Sequence, residues 1–120
     1  MQSKHLFEGE LRFLNIIWEY EPVPSGELVQ LCLDRLGWKK STTYTMLKRL
    51  AQKGFVVNEN AIVRSLVSRE EARSAESAYV VEQTFSGSLP GFLVAFLGGK
   101  TLSAAEAEEL KQLIDAHVES

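Results

Sequence analysis

Cysteine, histidine and proline are all scarce in this sequence of 120 residues, which has one, two and three of them respectively. A lone cysteine excludes an intrachain disulfide and any cysteine-based metal cluster within one chain. Cys32 lies in LVQLCLDRL, where a small apolar side chain suits the inner face of a helix, so core packing is expected of it rather than redox sensing. His5 and His117 stand near opposite ends with no partner at ligand spacing, and neither a metal nor any other cofactor is expected. No Ser/His/Asp or Cys/His grouping suggests catalysis, so the chain is not read as an enzyme. Long apolar runs are missing too: nothing approaches the ~20 residues of a membrane-spanning helix, and no membrane insertion is expected. The opening MQSKHLFEGE has neither an apolar core of signal-peptide length nor a small-residue cleavage site, which makes the cytoplasm the expected compartment.

What is present is an ordinary apolar fraction of 45%, enough for one domain or a small domain with an appended oligomerisation element. The formal net charge of −3 argues against coating of nucleic acid by the whole surface. Its distribution says more. The stretch WKKSTTYTMLKRLAQKG, from Trp38 to Gly54, holds Lys39, Lys40, Lys48, Arg49 and Lys53 without one acid. The tail carries Glu106, Glu108, Glu109, Asp115 and Glu119 against a single Lys111. One basic face and a separate acidic helix follow from that asymmetry.

Periodicity places the elements. Leu11, Leu14, Ile17 and Trp18 recur at helical spacing and predict a first helix over about residues 8–20. Pro22 and Pro24 then force extended backbone. Ser25 is expected to cap a second helix that carries Leu28, Val29, Cys32, Leu33 and Leu36 and ends at Gly37. Thr43, Met46, Leu47 and Leu50 define the inner face of a third helix stopping at Gly54. Its outer face carries Ser41, Thr45, Lys48 and Gln52, flanked by Thr42, Tyr44 and Arg49. Two β-rich runs around NENA read as a hairpin. This order is that of a winged helix-turn-helix, whose second helix of the pair enters the major groove. The expected fold is therefore mainly α with a small β-hairpin.

Beyond the hairpin, SREE at Ser68–Glu71 and SAAE at Ser103–Glu106 are capping boxes, each opening a helix. Between them SGSLPG interrupts the chain before the short apolar helix FLVAFLGG. The expected division is a winged helix-turn-helix domain over 1–67 and a helical dimerisation region over 68–120. Tyr79, Phe92, Phe96, Leu110, Leu113 and Ile114 are its expected contact residues, because an apolar stripe must be buried and a second copy is the simplest partner. The alternative is that these helices fold back on their own winged helix. Trp18 and Trp38 are expected to anchor helices to one another, and Gly98–Gly99 is a helix stop.

With these elements in place, the sequence resembles the penicillinase-repressor family of winged-helix transcriptional regulators (BlaI/MecI/CopY type). The matching segments are ELRFLNIIWE, VPSGELVQLC, LVSREEAR, LSAAEAEELKQLI and, above all, WKKSTTYTMLKRLAQKGFV. In the last, Trp38, Ser41, Thr42, Thr45, Leu47, Arg49, Leu50, Lys53 and Gly54 keep the family's register. The resemblance implies a homodimeric repressor that binds a palindromic operator in double-stranded DNA through the helix at 41–53. Ser41, Thr42 and Thr45 would face bases and phosphates, and Lys39, Lys40, Lys48 and Arg49 would supply phosphate attraction.

Three positions depart from the family pattern. Tyr44 replaces the usual cation between the two threonines, and it either touches DNA or is an idle exposed aromatic. The wing is short and carries Glu59 at its tip, leaving Arg64 as its compensating cation. Members of the penicillinase branch are inactivated by proteolysis at an Asn-Phe bond, which makes a membrane sensor protease a candidate partner. The corresponding pair here is Ala95–Phe96, which keeps the Phe without the Asn. The cysteine cluster of the copper-responsive branch is absent. A rival reading of the whole chain is a winged helix turned into a protein-interaction module that no longer binds DNA.

Overall fold

The computed structural model describes residues 5–119. The elements run α1 (Glu8–Tyr20), β1 (Val23–Pro24), α2 (Ser25–Leu36), α3 (Lys40–Gln52), β2 (Val56–Glu59), β3 (Ile62–Ser65), α4 (Arg69–Phe85), α5 (Leu89–Leu97) and α6 (Ala104–Ala116). The strands form one antiparallel sheet in the order β1-β3-β2. Three helices and this small sheet make a winged helix, as the element order implied. The chain divides into two compact units, one ending at Val80 and the other beginning at Val81, so α4 runs through the boundary. Among the described residues no single helix is long and apolar enough to cross a membrane.

The core of the first unit draws on α1, α2, α3 and the sheet, with Ala72 of α4 added to it. Phe13, Leu14, Ile16 and Ile17 of α1 meet Leu28 and Cys32 of α2, Leu47 and Leu50 of α3, and Phe55, Val56 and Val63 around the wing, all of them buried. Burial pushes the Cys32 thiol up from its ordinary range, with the neighbouring Thr43 offsetting this in part, which suits a packed and unreactive thiol. Trp38 stacks on Phe13 with ring centres 5.7 Å apart. The Trp18 indole N–H donates to the Val67 carbonyl at 2.9 Å, tying α1 to the segment that leaves the wing.

The structure departs from the expected pattern at three places. The inward arc of α1 is centred on Phe13, Leu14 and Ile17, whereas Leu11 is 36% exposed and turns toward α4. Ser25 does not cap α2. Pro24 holds that position, and Ser25 is the first helical residue, because its backbone N–H donates to the Ala61 carbonyl at 2.8 Å. The break before α5 is also shorter than SGSLPG suggested: Ser88 caps the helix by accepting the Gly91 N–H, so Leu89 and Pro90 form its first turn, where proline is tolerated. The capping box at Ser68 is complete, its hydroxyl accepting the Glu71 N–H and its own N–H donating to the Glu71 carboxylate, whereas at Ser103 the hydroxyl accepts the Glu106 N–H without the return bond.

The hairpin turn is Asn60–Ala61, with φ of 53° and 59°. Two left-handed residues match the twist of the flanking strands. Asparagine tolerates that conformation, but alanine carries a Cβ that crowds its own backbone there. Ala61→Gly is therefore expected to raise stability by about 1 kcal/mol, read as a higher urea midpoint with an unchanged slope.

In the second unit, the end of α4, α5 and α6 bring aromatic and aliphatic groups together without enclosing them. Phe92 meets the edge of Phe85 at 5.6 Å and stacks on Phe96 at 5.9 Å. Neither α5 nor α6 contains a buried residue.

Candidate nucleic-acid interface

Helix α3 is held from behind. Thr43, Leu47 and Leu50 are buried and Met46 is half-buried, which fixes the helix roll and leaves one side outward. Gly54, at φ 85°, ends the helix, and the Phe55 N–H returns to the Leu50 carbonyl at 2.9 Å. At the other end the Tyr44 hydroxyl lies 3.4 Å from Ser25 Oγ at the start of α2. Ser25 is in turn bonded to the wing turn through Ala61, so α3, α2 and the wing are linked through one residue.

Ser41, Thr42, Tyr44, Thr45, Lys48 and Arg49 all lie on the exposed side of α3, with Lys39 and Lys40 exposed at its start. The structure thus brings eight of the nine predicted DNA-contact residues onto one helix face and its lead-in. Among the described residues no side-chain partner holds Lys39, Lys40, Lys48 or Arg49. Elsewhere in the first unit Arg12 pairs with Glu8, Arg35 with Glu19 and Lys53 with Glu10. The first turn of α3 has no acidic residue and no side-chain cap. Two lysines there sit at the positive end of the helix dipole, a placement that is unfavourable until an anion arrives. A helix of this width fits a major groove, and its hydroxyls and cations suit base edges and phosphates.

Arg64 is placed differently. It lies on β3 and pairs with Glu59 across the hairpin at 3.6 Å, so the wing offers a neutralised pair rather than a free cation. Lys53, one of the five cations of the basic stretch, turns inward. Its ammonium contacts both carboxylate oxygens of Glu10 at 3.0 Å and the His5 carbonyl at 3.1 Å. Glu10 is 1% exposed and also accepts the Phe7 N–H at 2.9 Å. The sequence reading missed this buried pair. Its one signal was a carboxylate one turn before Leu14 and three residues before Phe13, on the side of α1 that packs.

The six residues expected at a dimer contact divide between the units. Tyr79 belongs to the first, where its ring stacks on His5 with centres 3.9 Å apart. Phe92, Phe96, Leu110 and Leu113 line one groove of about 400 Å³ in the second, and Ile114 is exposed on α6. Ala95 and Phe96 are both exposed within α5. Among the described residues no cluster of metal-ligating side chains forms.

The description of the penicillinase repressor family matches residues 7–116. The methicillin resistance regulatory protein MecI of Staphylococcus aureus (strain Mu50) is 26% identical over 118 residues, covering 95% of this chain and 96% of that protein. The penicillinase repressor of Bacillus licheniformis is 23% identical over 114 residues, covering 92% and 89%. An uncharacterized 16.5 kDa protein of Latilactobacillus sakei is 28% identical over 118 residues, covering 95% and 81%. The family match extends over both units, from just before α1 to the end of α6, and so takes in the exposed basic face of α3 as well as the apolar groups of α5 and α6. This chain belongs to the penicillinase repressor family, a family of repressors and not of enzymes.

Proposed function

We propose that the chain is a homodimeric transcriptional repressor that binds a palindromic operator in double-stranded DNA through α3. Ser41, Thr42, Tyr44 and Thr45 face base edges and nearby phosphates, while Lys39, Lys40, Lys48 and Arg49 supply the attraction to the backbone. The observation that carries this reading is the unpaired basic and hydroxyl-rich face of α3 on a winged helix whose other cations are largely paired. Residues 1–67 serve DNA binding, and residues 68–120 serve dimerisation through Tyr79, Phe92, Phe96, Leu110, Leu113 and Ile114. Support comes from α5 and α6, which bury nothing in a single copy: Phe96, Leu113 and Ile114 are each more than half exposed. A two-fold dimer then presents two copies of α3 to two half-sites. Such a protein works in the cytoplasm. Release by a membrane sensor protease is supported only by the exposed Ala95–Phe96 bond, in which the family's asparagine is missing.

One observation favours the rival, a protein-interaction module: the Glu59–Arg64 pair leaves the wing without a free cation. Titration of the purified protein against DNA from its own upstream region, followed by fluorescence anisotropy at several salt concentrations, separates the two. Operator binding predicts competitor-resistant affinity that falls steeply with salt, by about 0.9 log units per log unit of salt for each phosphate contacted. Lack of binding to any duplex at low salt would sink the repressor reading.

A further inference from the structure

A groove of about 430 Å³ lies on the first unit between α1 and the first half of α4. Its walls include Leu11, Asn15 and Trp18 from α1, facing Arg69, Arg73 and Glu76 from α4. The volume is in the range that encloses a small organic ligand. The Trp18 indole is fixed by its bond to Val67, and the Arg69 guanidinium stands over its ring at 5.3 Å. Beneath them Ala72, 3% exposed, supplies an apolar floor.

The charges in this groove are unbalanced. Arg69 and Arg73 sit one turn apart in the first half of α4, where each repels the other and Arg69, in the first turn, opposes the helix dipole. Among the described residues neither guanidinium has an ion-pair or hydrogen-bond partner. The nearby acids are committed elsewhere or do not reach them. Glu71 accepts the Ser68 N–H in the capping box. Glu76 accepts the Leu6 N–H at 2.7 Å with one oxygen and lies 3.0 Å from His5 Nδ1 with the other. Glu70, exposed on the same turn, makes no ion pair with either arginine. A hydrophobic wall, an amide and two uncompensated guanidiniums thus converge on one space.

We infer that this groove binds a small organic anion, a carboxylate carried on an aromatic or branched apolar body. The carboxylate is held between Arg69 and Arg73, whose planar forks match its two oxygens, with the Asn15 amide as a further donor. The apolar body lies against Leu11 and Trp18. This inference is independent of DNA binding and of the apolar groups in the second unit.

The test uses the full chain, 2-naphthoate as the probe, and ¹H–¹⁵N NMR, with the Trp18 indole N–H signal identified through Trp18→Phe. Saturable movement of that signal is expected, with a dissociation constant on the order of 1 mM or tighter. Arg73→Gln is expected to weaken binding about tenfold while leaving the rest of the spectrum in place, since it removes one charge-assisted pair. Arg69→Gln is the second variant, and 2-naphthamide is the neutral control. Failure of the signal to move overturns the inference, including where a second copy of the chain already fills the groove. So does equal binding of the amide, or full affinity in both arginine variants.

Discussion

Replacing Lys53 with methionine is expected to destabilise the protein by about 3–5 kcal/mol, a large part of the margin of a small domain. The cost does not come from a lost attraction alone. Glu10 is 1% exposed, so after the substitution its carboxylate keeps only the Phe7 N–H and cannot reach water. The reciprocal change, Glu10→Leu, should cost less. The Lys53 side chain is 12% exposed, and its ammonium sits at the end of a flexible stem that can move outward to solvent. Replacing both, as Glu10→Leu with Lys53→Met, should recover most of the loss, because a buried ion pair is worth little over well-packed apolar groups. Urea denaturation of the four proteins measures this directly. An additive double variant, as unstable as the two single losses summed, would show that the charges do not act as a pair. The pair also has a positional role. Lys53 is the C-cap residue of α3 and also bonds to the His5 carbonyl, so the same contacts hold the end of that helix against α1 and the chain before it.

The elements most legible in the sequence were those whose signal is local. The helix caps at Ser68 and Ser103, the glycine stops at Gly37 and Gly54 and the inner face of α3 each depend on residues within one or two turns, and all stand in the structure. What could not be read depends on partners far along the chain. β1 is only Val23–Pro24, too short for any periodicity, and exists because β3 offers it an edge with Val23 opposite Val63. Ser25 looked like a cap by type and position, but Ala61 in the hairpin takes its backbone N–H. Glu10 and Lys53 are 43 residues apart, and nothing near either one announces the other. The basic stretch illustrates the same limit. All five cations share one segment, yet helical geometry leaves Lys39, Lys40, Lys48 and Arg49 outward and turns Lys53 inward to the buried Glu10. A cation count alone does not distinguish a surface charge from a buried one.

That distinction sets up the second large effect, the charge reversal Lys48→Glu with Arg49→Glu. Operator affinity is expected to fall on the order of 100-fold or more at moderate salt, since two charge-assisted phosphate contacts are lost and repulsion replaces them. The salt dependence should change as well: removing two phosphate contacts lowers the slope of log affinity against log salt by about 1.8. Folding should be unaffected, because both side chains are exposed and neither has a partner among the described residues. This separates Lys48 and Arg49 from Lys53, whose replacement lowers binding only through the fold. Thr45→Ala on the same face is the complementary change. If its hydroxyl reads a base edge, affinity for the operator falls while affinity for unrelated duplex and the salt slope stay the same. If Thr45 contacts only phosphate, both duplexes weaken together. A winged helix turned to protein partners predicts neither pattern, since its affinity for duplex would already be absent in the parent protein. The Glu59–Arg64 wing sharpens the comparison. In the proposed repressor the wing, with that pair intact, contributes little attraction of its own, so α3 is expected to carry most of the electrostatic binding and reversal of Lys48 and Arg49 to have the larger effect.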